Sequence, residues 1–307
     1  MDEKYGPVGI IGGGQLARML CLAAHRLGVK TVIIDPLGIE SPAGQVTRSA
    51  VHGSIQDPEA LEQVAARCKV MTYEIEHTNV DALDTIAKRN PSLRIEPPPS
   101  TLRIIQDKYA QKVHLTAVGG VPMGDFRQVE DEEGVLRCGA DWGFPLMLKA
   151  KRNAYDGRGN AVVPDRAGAR EALESLGAGA AGNVEVYAER WVPFERELAC
   201  VVARSADGRL AAYPIVHTVQ RLSMCHTTVT PANSKLPACV SWAAVEAEAS
   251  RIAQAVVAAL PGCGIFGVEL FMTPTGEVFF NEVAPRVHNS GHYTQDACAC
   301  DQVTQTK

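Results

Sequence analysis

Residues 8–35 leave little choice of architecture. Val8-Gly9-Ile10-Ile11 is a short buried-strand run that enters Gly12-Gly13-Gly14. From Gln15 to Leu27 the apolar residues Leu16, Met19, Leu20, Ala23 and Leu27 recur at the spacing of an amphipathic helix, and Lys30 to Ile34 is a second strand ending at Asp35-Pro36. A strand, a glycine turn, a helix and another strand make a βαβ unit, whose strands run parallel. Gly12-x-Gly14-x-x-Ala17, with Asp35 downstream, matches a dinucleotide fingerprint. Three readings of the loop stand open. It binds NAD, as in an NAD-dependent oxidoreductase; or its helix N-terminus holds a phosphate through free N–H groups and the dipole; or its glycines only permit close strand–helix packing.

The alternation continues. Asp57-Pro58 starts a helix, with Asp57 as N-cap and Pro58 at the first position. Val70 to Ile75 is a strand bearing Glu74, then Glu76-His77, at its C-terminal end, where open parallel sheets bind ligands. Glu74 is therefore a candidate substrate contact, the plain alternative being a solvated strand end. Asn79 to Lys88 is helical, and Pro97-Pro98-Pro99 stiffens the exit. This places a domain boundary near residue 100, dividing the chain into 1–100 and 101–307. A length of 307 residues with 46% hydrophobic content supports large cores. Net charge −5 and a pI near 5.9 argue against a sequence-independent nucleic-acid or membrane-surface binder. No run of eighteen apolar residues appears. Nine scattered cysteines without a Cys-x-x-Cys pair fit a reducing, cytoplasmic setting.

The second part carries more chemistry. Asp107 to about Val118 is helical and includes Lys108; Phe144 to Lys149 is a strand ending in a lysine. The run from Ala150 to Asn160 that follows is Gly-rich and basic, a tip able to clamp phosphates through backbone N–H groups and cations, or a plain Asp-Gly turn. Asp165 to Leu176 and Ala243 to Leu260 are helices, and Asp207-Gly208 joins strands Leu198–Ala203 and Leu210–Val216 as a hairpin. Near the end, Gly264 to Met272 and Glu277 to Val283 flank a Pro/Gly loop of four residues, again a hairpin. With Met272 facing Glu277, Phe280 lies opposite Glu269 and Glu282 opposite Gly267. Glu269 and Glu282 then share a face diagonally, about 7–8 Å apart, while Asn281 points away. Such a pair of acids can hold metal ions. The donor-rich loop Ala284 to His292 comes next.

A lysine on a strand, a Gly-rich basic tip, the Glu189-Arg190-Trp191-Val192 connection, a further Glu197 and two hairpin acids follow in an order that resembles the ATP-grasp superfamily. The Gly-x-x-x-x-Gly-Lys-Ser/Thr pattern of P-loop NTPases is absent. Three stretches, 12–20 (Gly-Gly-Gly-Gln-Leu-Ala-Arg-Met-Leu), 155–159 (Tyr-Asp-Gly-Arg-Gly) and 281–292 (Asn-Glu-Val-Ala-Pro-Arg-Val-His-Asn-Ser-Gly-His), are similar to the 5-(carboxyamino)imidazole ribonucleotide synthetase family, the ATP-dependent subunit or domain of phosphoribosylaminoimidazole carboxylase. The similarity runs from about Val8 to Asp301.

It implies mixed α/β and α+β structure: an ATP-grasp fold in two subdomains, about 101–188 and 189–307, preceded by a Rossmann-like parallel-sheet domain. The implied activity is ATP- and bicarbonate-dependent carboxylation of 5-aminoimidazole ribonucleotide through carboxyphosphate, in purine biosynthesis. Lys108 and Lys149 would hold ATP phosphates, with the tip Ala154, Gly157, Arg158, Gly159 and Asn160 closing over them. Glu189 to Val192 would receive adenine and Glu197 the ribose; His217 and Asn281 would also line the nucleotide site. Glu269 and Glu282 would hold two magnesium ions. Arg286, His288 and Asn289 would hold bicarbonate or the intermediate, and Tyr155, Asp156, Gly14, Gln15 and Glu74 would face the ribonucleotide. The expected partners are these small molecules, a second copy in a homodimer, and the mutase fused to this unit in fungi, with neither nucleic acid nor membrane. One departure stands out. The family continues into a small C-terminal domain, whereas this chain stops at Lys307 after a stretch unlike that continuation. The expectation is a fragment or altered product of a bifunctional carboxylase, in which nucleotide binding survives better than turnover.

Overall fold

The computed structural model describes residues 6–153, 158–179, 182–221, 224–233 and 236–305. Expectations for Ala154, Tyr155, Asp156 and Gly157 lie outside the described residues.

The first unit contains β1 (Val8–Ile11), α1 (Gln15–Arg26), β2 (Thr31–Asp35), β3 (Ala50–His52), α2 (Pro58–Ala65), β4 (Val70–Tyr73), α3 (Val80–Arg89) and β5 (Arg94–Ile95). The strands form one parallel sheet in the order β3-β2-β1-β4-β5. Strands buried on both faces read as apolar runs, and alternate residues enter different cores. Ile11, Val32 and Ile34 pack with α2 and α3, whereas Ile10 and Ile33 pack with Ala17, Leu20 and Cys21 of α1. The Asp57 cap is as the sequence implies, and Asn79 caps α3 in the same way. Asp57 accepts from the Glu59 N–H at 3.0 Å, and Asn79 accepts from the Ala82 N–H at 3.0 Å. Gly12 has φ +105°, and a Cβ there would collide with Glu74.

Helices α4 (Pro99–Ile105) and α5 (Lys108–Val118) lead out of this unit. Gln106 lies between them, and its amide donates to the carbonyls of Glu76 and Thr78 at 2.7 and 2.8 Å, fixing the loop after β4. Next come β6 (Phe126–Val129), α6 (Glu132–Trp142), β7 (Leu146–Ala150), β8 (Asn160–Val163), α7 (Ala169–Ser175) and β9 (Val186–Arg190), forming an antiparallel sheet β6-β9-β7-β8. The β6–α6 pair was not anticipated; its strand presents Arg127 and Gln128 to solvent and lacks an apolar run. Helix α7 starts later than Asp165 because that carboxylate accepts from the Ala167 and Gly168 N–H groups, making a turn instead.

The largest sheet comprises β10 (Arg196–Arg204), β11 (Leu210–Ala212), β12 (Val216–Arg221), β13 (Met224–Val229), β14 (Gly264–Met272) and β15 (Val278–Ala284), with α8 (Trp242–Ala259) covering one face. The expected strand Leu210–Val216 is two pieces. β11 pairs with residues 202–204 of β10, and β12 pairs with residues 197–199, with Pro214 between them unable to donate to a ladder. The opposite face of this sheet forms a cleft. Val201, Ala203 and Ile265 share a core with α1 and with Val287, so the parallel sheet and this sheet are packed together.

Asp107 caps α5 by accepting from the Ala110 N–H at 2.9 Å and also meets Arg152 at 3.3 Å. Asp107→Ala is expected to destabilise the chain by about 1–2 kcal/mol. Thermal unfolding should show a lowered Tm that Asp107→Asn, itself a capping residue, largely restores.

Candidate active site

A cleft of about 420 Å³ lies between the two antiparallel sheets. Its floor is set by strand register. Glu197 and Ala199 share a face of β10, Ala199 pairs with Glu269 of β14, and Glu269 pairs with Glu282 of β15. The two acids are therefore directly opposed, which corrects the diagonal placement expected from sequence. Two offsets combine: the turn pairs Met272 with Val278, not Glu277, so that Leu270 pairs with Phe280, and a further register shift between Glu269 and Leu270 brings Glu282 opposite Glu269. Asn281 is the extra residue of this bulge. Phe280 and Val283 face the α8 core, while the consecutive residues Asn281 and Glu282 both line the cleft. The expectation that Asn281 points away from Glu282 fails because simple alternation stops at a bulge.

Cations reach these acids from other elements. Lys108 at the start of α5 makes a short ion pair with Glu282, and Lys149 at the end of β7 donates to Asn281 Oδ1 at 3.1 Å. Glu189 on β9 lies between two lysines, Lys149 and Lys112, at 3.1 Å each, and accepts from the Tyr187 hydroxyl at 2.9 Å. Burial opposes ionisation of Glu189, but the two ammonium groups outweigh it and bring its pKa down to about 2. Glu269 behaves oppositely: burial, then the facing carboxylates of Glu282 and Glu197, hold it well above the ordinary carboxyl range. Glu282 is held low because Lys108 overcomes its burial.

The loop after β15 supplies the remaining polar groups. Arg286 forms a two-pronged ion pair with Glu76, Nε to Oε2 at 2.6 Å and Nη2 to Oε1 at 3.2 Å, while Nη1 donates to the Val287 carbonyl at 3.2 Å. Burial disfavours the Glu76 carboxylate, yet Arg286 holds its pKa below the usual range. His288 Nδ1 lies 2.7 Å from the Ser290 hydroxyl and 3.4 Å from the Ser290 N–H, and Nε2 lies 3.4 Å from Glu269 Oε1. Burial and the nearby Arg286 lower the His288 pKa to about 4, which keeps the ring neutral at pH 7. Gln302, fully buried, clamps the His288 backbone by accepting from its N–H at 2.9 Å and donating to its carbonyl at 2.8 Å. Gly267 allows this approach, since a Cβ there would strike the His288 side chain.

Lys108, Lys149, Arg158, Asn160, Glu189, Arg190, Trp191, Val192, Glu197, Glu269, Asn281, Glu282, Arg286, His288 and Asn289 all line the cleft. Gly14, Gln15, Glu74, Gly159 and His217 do not. His217 sits on β12 opposite Leu198. Glu74 accepts from the Gly14 and Ala17 N–H groups, the latter at 2.7 Å, so the chain's own carboxylate occupies the N-terminus of α1. Sequence reasoning passed over Lys112, Lys151 and Glu76 as site residues. Glu76-His77 at a strand end was one available signal, and the helical spacing of Lys112 from Lys108 was another. Among the described residues no group of three or more His, Cys, Asp or Glu residues forms a metal cage. Two opposed carboxylates are hard oxygen donors, and a small set of them suits magnesium shared with phosphate and water.

A model of the ATP-grasp domain matches residues 114–303, and a model of the ribonucleotide synthetase preATP-grasp domain matches residues 6–106. The chain belongs to the ATP-grasp family. The N5-carboxyaminoimidazole ribonucleotide synthase of Brucella melitensis is 37% identical over 97% of this chain and 78% of its own length. Within ATP-grasp proteins this chain thus falls among the N5-carboxyaminoimidazole ribonucleotide synthases. It is also 45% identical to the phosphoribosylaminoimidazole carboxylase of Saccharomyces cerevisiae, over 98% of this chain and 51% of that protein. It spans about half the length of such fungal relatives. The Aspergillus clavatus N5-carboxyaminoimidazole synthase, solved with ADP and 5-aminoimidazole ribonucleotide, superposes with a TM-score of 0.88 at 38% identity, over 98% of this chain and 75% of that one.

Removing the Glu189 charge leaves two buried ammonium groups facing a neutral amide, so Glu189→Gln should destabilise the chain by roughly 3–5 kcal/mol at pH 7. The folded-state pKa lies below the unfolded value of about 4.5. The carboxylate's stabilisation is therefore fully present above about pH 4.5 and declines as pH falls toward 2. The Tm difference between wild type and variant should be largest above pH 5 and narrow on acidification. A difference independent of pH would contradict the ion-pair account.

Proposed function

We propose that this chain is the ATP-dependent part of an enzyme that carboxylates 5-aminoimidazole ribonucleotide, using bicarbonate, to N5-carboxyaminoimidazole ribonucleotide. The observation that carries the reading is the bulged hairpin, which opposes Glu269 and Glu282 and puts Asn281 beside Lys149 in a cleft bordered by Arg286 and His288. The synthase relatives of similar fold support the choice of substrates. The matches 6–106 and 114–303 support a division into a substrate-binding unit and an ATP-grasp unit near residue 100.

The cleft's charges suit phosphoryl transfer. Lys108 and Lys149 would draw the phosphates of ATP against the hairpin, while the 189–192 strip receives the adenine and Glu197 the ribose. Glu269 and Glu282 would hold magnesium, which neutralises phosphate charge and orients the γ-phosphate. A bicarbonate oxygen then takes the γ-phosphoryl group, releasing ADP and leaving carboxyphosphate. Arg286, its orientation fixed by Glu76, and neutral His288 would meet the carboxylate oxygens. The exocyclic amine of the ribonucleotide attacks the carboxyphosphate carbon, phosphate leaves, and the nitrogen loses a proton. Glu74, Gly14 and Gln15, which lie outside the cleft lining, would make the proposed ribonucleotide contacts together with Tyr155 and Asp156. Catalysis here would rest on positioning and charge neutralisation.

The test is phosphate release from ATP with magnesium, bicarbonate and 5-aminoimidazole ribonucleotide. Turnover should depend on all of them and fall on the order of 100-fold or more in Glu282→Gln, by analogy with loss of a preorganised electrostatic group. Release unaffected by omission of the ribonucleotide would refute the assignment.

A further inference from the structure

We propose that Lys112, buried behind the cleft, is a positioning residue that keeps Lys149 available to the phosphates of a nucleotide. The proposal rests on the nucleotide reading above and extends it to a residue that lines no part of the cleft.

The geometry is a row of three charges. Lys112 follows Lys108 by one helical turn on α5, but Lys108 reaches into the cleft and Lys112 lies beneath it, with a side chain 3% exposed. Its ammonium sits 5.9 and 5.7 Å from the ring centroids of Phe126 and Phe280 and 3.1 Å from Glu189 Oε1. The other oxygen of the same carboxylate is 3.1 Å from the Lys149 ammonium. Between Phe126 and Phe280 an apolar side chain would pack without any desolvation penalty. Burial lowers the Lys112 pKa, and Glu189 only partly restores it, so a cation here carries a real cost.

That cost has an electrostatic return. Glu189 and Lys149 alone form a neutral pair, and the carboxylate would cancel most of the field that Lys149 projects into the cleft. Lys112 neutralises Glu189 from behind, and the row of Lys112, Glu189 and Lys149 keeps one net positive charge. Glu189 and Asn281 then occupy two of the three Lys149 N–H donors. The third is left for an anion in the cleft. Glu189 thus aims Lys149, and Lys112 prevents that aiming contact from extinguishing its charge.

The test compares ATP and adenosine binding by calorimetry in the whole chain. Lys112→Met is close in volume and leaves Glu189 paired with Lys149, so the fold should persist; circular dichroism and Tm check this. ATP affinity should fall roughly tenfold, as expected for removal of a nearby interior charge, while adenosine affinity stays within about twofold. Lys112→Arg, which keeps the charge, should recover most of the ATP affinity. Unchanged ATP binding in Lys112→Met, or parallel losses for ATP and adenosine, would overturn the proposal. Failure of the wild type to bind ATP would instead overturn the nucleotide reading itself.

Discussion

Among the described residues five carboxylates, Glu76, Glu189, Glu197, Glu269 and Glu282, line one cleft, and so much buried negative charge is tolerable only if cations reach it from several directions. Helix α5 delivers Lys108 and Lys112, strand β7 delivers Lys149, and the loop after β15 brings Arg286 to Glu76. Each of these elements belongs to a different part of the chain. The mutual neutralisation therefore ties α5, the smaller antiparallel sheet and the larger one into a single arrangement. The acids are unequally served: Glu282 has a lysine, whereas Glu269 faces two carboxylates and a neutral histidine. The cleft is a place where positive charge is still wanted, and a divalent ion beside phosphates fits that demand.

Docking of the parallel-sheet unit depends on the same economy of charge. Apolar packing joins α1 to Val201, Ala203, Ile265 and Val287, but the cleft edge is closed by the Glu76–Arg286 pair. Gln106 holds the Glu76 loop from the connection between α4 and α5, and Gln302 holds the His288 backbone from the far end of the chain. Residues distant in sequence thereby fix the Arg286 side chain and the His288 backbone at the cleft.

Much of this was legible in the sequence. The 8–35 pattern specified a parallel βαβ start, Asp57 and Asn79 announced their helices, and the motifs at 12–20 and 281–292 pointed to the correct family. What stayed hidden was non-local. β6 carries no apolar run, and its existence depends on pairing with β9. Lys112 reads as an ordinary helix lysine until Glu189 is placed beside it. The glycine turn allowed several ligands on local grounds, and only the fold shows Glu74 filling the helix N-terminus. Hairpin register failed twice, because the turn is one residue longer than the assumed Met272–Glu277 closure and because period-two counting assumes an unbroken ladder.

The bulge at Asn281 also sets a rule of parity for this hairpin. Because one extra residue separates the core-facing Phe280 from the cleft-facing Glu282, the strand changes phase midway along its length. Deleting a single residue there would restore a regular ladder, yet it would leave either the amide or the acid missing from the cleft. Insertions and deletions on the 273–277 side of the bulge would displace apolar residues only, and those on the other side would move the acid. The hairpin can thus absorb length variation at its turn while its functional end keeps a fixed count from the bulge onward, a division of tolerance that runs through the middle of a single strand.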